Sequence, residues 1–217
     1  MKVALIGATG FVGNAILNEL TERDYQVIAI ARNTGKIENQ STNIEKKNAD
    51  VYKQEELTAA IADADVVISA FNPGWTNPNI AEDYRKGAES IQKAVENSNT
   101  KRLIVIGGAG TLKIDGNYVV DSPDFSKDVY PAANSVRNYF VENLSKNETL
   151  AWEFFSPAIE MYDGNGLTKT GNYRYGTDAP VFNDEGRSLL SVEDLAVAVV
   201  DEVENKQFVK QQFTAGY

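Results

Sequence analysis

Val3-Ala4-Leu5-Ile6-Gly7-Ala8-Thr9-Gly10-Phe11-Val12-Gly13-Asn14-Ala15-Ile16-Leu17-Asn18-Glu19-Leu20 decides the fold. A run of four apolar residues, too short for a buried helix, meets a glycine turn. Beyond the turn, Val12, Ile16, Leu17 and Leu20 recur at helical spacing. The order is therefore strand (3–6), turn, helix (11–22), the opening of a β-α-β chain.

Reading outward, the same alternation continues. Strands are expected at 25–31, 44–50, 65–71 and 102–106, with helices at 54–62 and 80–98. Residues 33–43 are polar and read as a loop. Asn72-Pro73-Gly74-Trp75-Thr76-Asn77-Pro78 is dense in turn formers. Beyond Gly107-Gly108-Ala109-Gly110 the pattern loosens. Residues 111–128 read as an irregular loop, 129–146 as a helix and 150–155 as a sixth strand. Residues 156–190 are rich in Gly, Asn and Asp, with room for one short hairpin. Ser191 is placed to cap a last helix, and Asp194, three residues on, to answer it as a capping-box variant. A final strand is expected at 211–215. The runs are apolar on both faces, as in a parallel sheet covered by helices. The expectation is one α/β domain, residues 1–217, of the Rossmann type: a doubly wound parallel sheet with helices on both faces and a small C-terminal decoration. Residues 151–217 complete the sheet and form the substrate-side segments.

Composition removes several classes of function. The 217 residues contain no cysteine and no histidine, which excludes disulfides, thiolate metal sites, a cysteine nucleophile and any Ser-His-Asp arrangement. A formal charge of −10 argues against a nucleic-acid groove, which needs a basic face. No stretch approaches the roughly 20 apolar residues of a membrane span. The chain reads as a soluble, cytoplasmic protein with no metal and a small-molecule partner.

The glycine loop carries the chemistry. Gly7 allows a tight turn off the strand, Gly10 lets the backbone approach a pyrophosphate, and Gly13 lets helix and strand pack closely. The N-terminal turn of the helix, with Phe11 and Val12, then presents free N–H groups and the positive dipole end to phosphates. Thr9 offers a hydroxyl. A glycine triplet alone is a weak signal; after the first strand of a β-α-β series it points to a dinucleotide. An acidic residue at the end of the second strand would bind the ribose of NAD, but Ala31-Arg32-Asn33 stands there. Arg32 suits the extra phosphate of NADP, with Lys36 as a second cation. NADP(H) is favoured and NAD(H) left open. Asp50 either reaches an adenine amino group or forms an ordinary turn before a helix. Ala70, Phe71, Gly107 and Gly108 end the fourth and fifth strands, where ligands bind in open α/β sheets.

Gly-Ala-Thr-Gly-Phe-Val-Gly at 7–13 resembles the GATGxxG loop of atypical short-chain dehydrogenases, and Ala31-Arg32 their second-strand exit. Phe155-Ser156-Pro157-Ala158, Gly171-Asn172-Tyr173-Arg174-Tyr175-Gly176, 191–196 and Phe213-Thr214-Ala215-Gly216-Tyr217 resemble the bacterial NADH-flavin reductase-like branch. That branch is akin to biliverdin reductase B and to NmrA-like proteins. The resemblance implies a Ser, Tyr and Lys catalytic set, with the last two spaced Tyr-x-x-x-Lys. Here Tyr130 is followed four residues later by Asn134, and glycines replace the serine after strand five. A Tyr without its ammonium neighbour loses the charge that favours its ionised form. Tyr130 is retained as a substrate contact or weak proton donor, or as a residue packing on the 111–128 loop.

This erosion points to an acceptor that takes hydride directly from a nicotinamide, such as FMN, FAD, riboflavin or a quinone. Trp75, Tyr118, Phe125, Tyr162 and Tyr173 are the aromatic residues placed to stack on such a plane, or else to anchor their own loops. Ser156 is a further substrate-side candidate. The expected function is an NAD(P)H-dependent oxidoreductase. A non-catalytic redox sensor of the NmrA-like kind is the alternative, and a sugar-nucleotide epimerase or dehydratase a more distant one. Helices 80–98 and 129–146 offer surfaces for a homo-oligomer.

Overall fold

The computed structural model describes residues 1–217. In chain order the elements are β1 (Lys2–Ile6), α1 (Phe11–Glu22), β2 (Gln26–Ala31), β3 (Ile44–Asn48), α2 (Gln54–Ala60), β4 (Val66–Ser69), α3 (Ile80–Asn97), β5 (Arg102–Ile106), β6 (Lys113–Ile114), β7 (Asn117–Tyr118), α4 (Tyr130–Glu142), β8 (Ala151–Phe155), β9 (Arg174–Gly176), α5 (Val192–Asn205) and β10 (Gln211–Gly216). Eight strands form one sheet in the order β3-β2-β1-β4-β5-β8-β10-β9, all parallel except the β10–β9 pair. The expected Rossmann-type architecture is the observed one.

The period-2 alternation of strands sorts the core into two layers. Val3 and Leu5 of β1 face Ile16, Leu17 and Leu20 of α1 and Leu195, Val199 and Val203 of α5. Ala4 and Ile6 face the opposite way, toward Leu57, Tyr84, Ile91, Val95 and Tyr139 on α2, α3 and α4. Each fully buried Leu or Ile contributes roughly 1.5–3 kcal/mol relative to exposure. At one edge β3 (Ile-Glu-Lys-Lys-Asn) is largely solvent-facing; at the other β9 is only three residues long.

A charged cluster is sealed between the sheet and α5. Arg102 donates from Nε and Nη2 to Glu153 Oε1 (2.9 and 2.8 Å), and from Nη1 and Nη2 to the carbonyls of Val203 and Glu202 at the end of α5. The Glu202 carboxylate accepts from the Gln207 and Phe208 N–H groups. Glu153 is wholly buried, and its Oε2 has no partner. Burial, opposed by Arg102 and reinforced by nearby Glu202, pushes its carboxyl up to about 7.

Three expectations fail, the first through a local Asp-Gly turn and the other two through contacts made only in the folded chain. Residues 111–128 are not irregular throughout: β6 and β7 pair antiparallel around Asp115-Gly116, both at positive φ. Residues 156–190 contain no hairpin of their own; their one strand, β9, pairs with β10. Ser191 caps α5, accepting from the Asp194 N–H at 3.0 Å, but Asp194 does not answer it. The Asp194 carboxylate instead accepts from Thr170 N, Thr170 Oγ1, Gly171 N and the Tyr217 hydroxyl. Burial alone would raise this carboxyl, but those hydrogen bonds outweigh it and hold it below the usual range.

Candidate functional site

The order of strands places a switch point between β1 and β4: the chain winds from β1 through β2 to β3, then returns to β1's other side. A cleft opens at the carboxyl ends of the strands at this point, where α/β sheets bind ligands. Ile6, Gly7, Thr9 and Gly10 form its floor and one rim. Ile30, Ala31 and Arg32 come from the exit of β2, Ala49, Val51 and Tyr52 from that of β3, and Ala70, Phe71, Asn72 and Pro73 from that of β4.

The cradle is built by missing side chains. Gly7 has φ +83°, and a Cβ there would stand 2.6 Å from the Ala70 carbonyl oxygen. A Cβ at Gly13 would stand 2.1 Å from the Gly7 oxygen, so the helix lies directly on the turn. The backbone N–H groups of Thr9, Phe11, Val12 and Gly13 have no acceptor within the chain. Gly10, the N-cap of α1, brings no side-chain cap, and the first turn carries no acidic residue. Both omissions leave the positive helix end unneutralised, which suits a pyrophosphate.

Arg32 is exposed on the cleft rim and has no hydrogen-bond or ion-pair partner. Every other arginine is engaged: Arg23, Arg85, Arg102, Arg137 and Arg187 with carboxylates, and Arg174 with two carbonyls. Lys36 is exposed on the 3-10 turn Thr34–Lys36 and does not line the cleft. Asp50 takes the turn role: its Oδ1 accepts from the Tyr52 N–H (3.1 Å) and its carbonyl from Lys53. The wall at this exit is Ala49, Val51 and Tyr52 instead of the Asp50 side chain. Burial first, then the nearby Asp83 carboxylate, raises the Tyr52 phenol.

Sequence reasoning missed Tyr52, Asn72 and Pro73. It also missed Gly87 on α3, where a Cβ would stand 2.3 Å from the Phe71 ring. That glycine admits Phe71, which stacks on Tyr84 and meets Tyr52 edge-on. A glycine in mid-helix was the available signal.

Beyond the cleft, the exits of β5 and β8 are closely packed. Gly107 is small for the sake of Phe154, whose ring would lie 2.1 Å from a Cβ there, and not to admit a ligand. Gly108 has open space beside it, Val136 Cγ1 being nearest at 4.0 Å. Ser156 is fully buried, sharing a hydrogen bond of 2.7 Å with Thr111 Oγ1 and accepting from Gln212 Nε2 at 2.8 Å. It therefore cannot contact a substrate directly, and Gln212 is the partner that the sequence did not reveal.

The expected aromatic residues divide. Tyr173 is an anchor: its hydroxyl donates to Asp201 and its ring meets Tyr175, so it is not a stacking face. Tyr118 is half-buried between Lys113 and Arg137. Tyr130 opens α4, meets Phe125 edge-on and keeps 41% of its surface exposed. Trp75 (71%) and Tyr162 (56%) are more exposed still. Asn134 accepts from Arg137 Nη2 at 2.6 Å, so the position of the missing lysine already has a cation beside it, held by other partners. The described residues contain no group of His, Cys, Asp and Glu fit for a metal, and no helix is long and apolar enough to cross a membrane.

Comparison with known proteins agrees with this geometry. Residues 7–206 match a family model described as NAD(P)H-binding. An uncharacterized Bacillus subtilis protein, YwnB, is 35% identical, with 99% of this chain and 97% of that one covered. A solved Bacteroides thetaiotaomicron structure, assigned provisionally as an epimerase, superposes with a TM-score of 0.92 at 36% identity, covering 100% of this chain and 96% of that one. A Streptococcus pneumoniae structure assigned provisionally as an NADH-flavin reductase gives 0.86 at 32% identity, covering 100% and 99%.

Proposed function

The chain belongs to the NAD(P)H-binding family, and from that premise we propose that it is an NADP(H)-dependent oxidoreductase reducing a flavin or another planar acceptor. The observation that carries the cofactor choice is Arg32: an unpaired guanidinium on the cleft rim, with no acidic residue at the β2 exit. A planar fork of donors matches a 2′-phosphate, whereas a ribose diol calls for a carboxylate.

The residues present fit a dinucleotide. The four free N–H groups of the glycine loop take the pyrophosphate, Arg32 takes the 2′-phosphate, and Tyr52 with Val51 walls the adenosine end. When bound, the reduced nicotinamide supplies hydride. The chain holds and orients; it offers no histidine and no Tyr–Lys pair for proton transfer. Such a site suits an acceptor whose proton comes from water, as with a flavin or quinone. The Streptococcus pneumoniae likeness supports this reading.

The test is oxidation of NADPH and NADH, followed by nicotinamide absorbance, with FMN, riboflavin and quinones. Turnover with NADPH preferred is expected. Tight NADPH binding without turnover on any acceptor would overturn the reductase reading and favour the redox-sensor one.

A further inference from the structure

We propose that Gln212 is a positioning residue: from β10 it sets the nicotinamide end of the site by ordering the exits of β5 and β8. This rests on the cofactor reading above and adds to it a determinant that does not touch the ligand.

Gln212 lies opposite Phe154 in the β10–β8 register. Its Nε2 donates to the Thr111 carbonyl at 3.0 Å and to Ser156 Oγ at 2.8 Å. Thr111 Oγ1 lies 2.7 Å from Ser156 Oγ and donates to the Gly108 carbonyl at 2.7 Å. Thr111 and Ser156 are both wholly buried, so these contacts are made without competition from bulk water.

Counting protons fixes the direction of the chain. The amide nitrogen of Gln212 carries two hydrogens, which serve the Thr111 carbonyl and Ser156 Oγ at 3.0 and 2.8 Å, with Thr111 Oγ1 a longer third contact at 3.3 Å. Thr111 uses its single hydrogen on Gly108, so the Ser156 hydroxyl must donate to Thr111 Oγ1. One route of donors then runs from Gln212 through Ser156 and Thr111 Oγ1 to the Gly108 carbonyl, while the other Gln212 hydrogen holds the Thr111 carbonyl. Glu at 212 would have no hydrogen to start the chain, and Met would have neither donor nor acceptor.

The end point matters because a trans peptide holds its C=O and N–H on opposite sides. The Gly108 carbonyl is drawn inward by Thr111 Oγ1 and by the Thr111 N–H (3.1 Å). The N–H of the same peptide, that of Ala109, is therefore turned away from this network, and it has no acceptor within the chain. A free, oriented donor at the end of β5 suits a carbonyl oxygen, here the carboxamide of the nicotinamide. Gly107, locked against Phe154, keeps the preceding backbone from shifting.

The test compares Gln212→Met, Gln212→Glu, Thr111→Val and Thr111→Ser with the wild type. Affinity is measured for NADPH and for the adenosine half alone (2′,5′-ADP), with nicotinamide fluorescence on binding and thermal melting alongside. Expected is wild-type affinity for 2′,5′-ADP throughout, NADPH binding weakened on the order of tenfold in Q212M, Q212E and T111V with changed nicotinamide fluorescence, and a wild-type result for T111S, which keeps the hydroxyl. Unchanged NADPH affinity and fluorescence in Q212M and T111V would overturn the proposal. So would a loss of both ligands that tracks melting temperature, the mark of a merely structural role. Wild-type protein that does not bind NADPH at all overturns the cofactor reading and this one together. Binding without turnover removes only the reductase reading, because these arms read binding alone.

Discussion

The exits of β1 to β4 and the exits of β5 to β10 treat their polar groups in opposite ways. In the first region donors are left free: four backbone N–H groups at the glycine loop and the whole guanidinium of Arg32. In the second, side-chain donors are consumed internally, as by Gln212, Thr111 and Ser156. A free donor near the surface loses little without a ligand because water serves it; a buried one must be satisfied within the chain. The first region is thus built to meet a charged ligand, the second to hold its own shape beside one.

The sharpest way to break this contrast is to fill the cradle. Gly7→Ala puts a Cβ at φ +83° against the Ala70 carbonyl, where backbone cannot yield. Stability should fall by roughly 3 kcal/mol or more, with cofactor binding lost. Melting with and without NADPH checks this, and a variant that retains its ligand-induced shift would refute the cradle.

The second effect belongs to the interior. Glu153 holds its proton up to about 7, against an ordinary value of 4.5. The folded state therefore binds a proton more tightly than the unfolded one. The resulting stability is fully present below pH 4.5 and is lost as pH rises through about 7. The change is on the order of 3 kcal/mol. Denaturant titrations of wild type and Glu153→Gln between those limits should show a slope in the first and a flatter line in the second. Matching slopes would mean that the buried carboxylate is not their source.

Arg32→Ala tests the open region more gently. NADPH should bind roughly tenfold more weakly, while NADH is unaffected. Equal losses for both cofactors would mean that the guanidinium meets something other than the 2′-phosphate. The smallest effect is expected from Tyr130→Phe, with turnover within about twofold of wild type. A large drop in kcat would restore the tyrosine as a proton donor.

The same contrast explains what could be read in advance. Helix α1 and strand β5 have the boundaries that their periodicity predicts, since local pattern and burial agree there. The glycine cradle was legible because its requirements fall within seven consecutive residues. Ser156 was misjudged because its partners, Thr111 and Gln212, are brought to it only by the sheet. Asp194 was misread for the same reason: a capping pattern looks three residues away, while its actual donors are on Thr170, Gly171 and Tyr217. Gly107 was legible as small but not as making room for a phenylalanine ring, and Gly87, which does the same for Phe71, was not singled out at all.

The two edges of the sheet carry a consequence for how copies of this protein meet. An exposed strand edge recruits another chain when it is long, flat and apolar. Here one edge, β3, presents Glu45, Lys46 and Lys47, and the other, β9, ends after three residues. Neither is a good template for strand pairing between molecules. The charges along β3 and the shortness of β9 thus work against sheet growth from one copy to the next at either end.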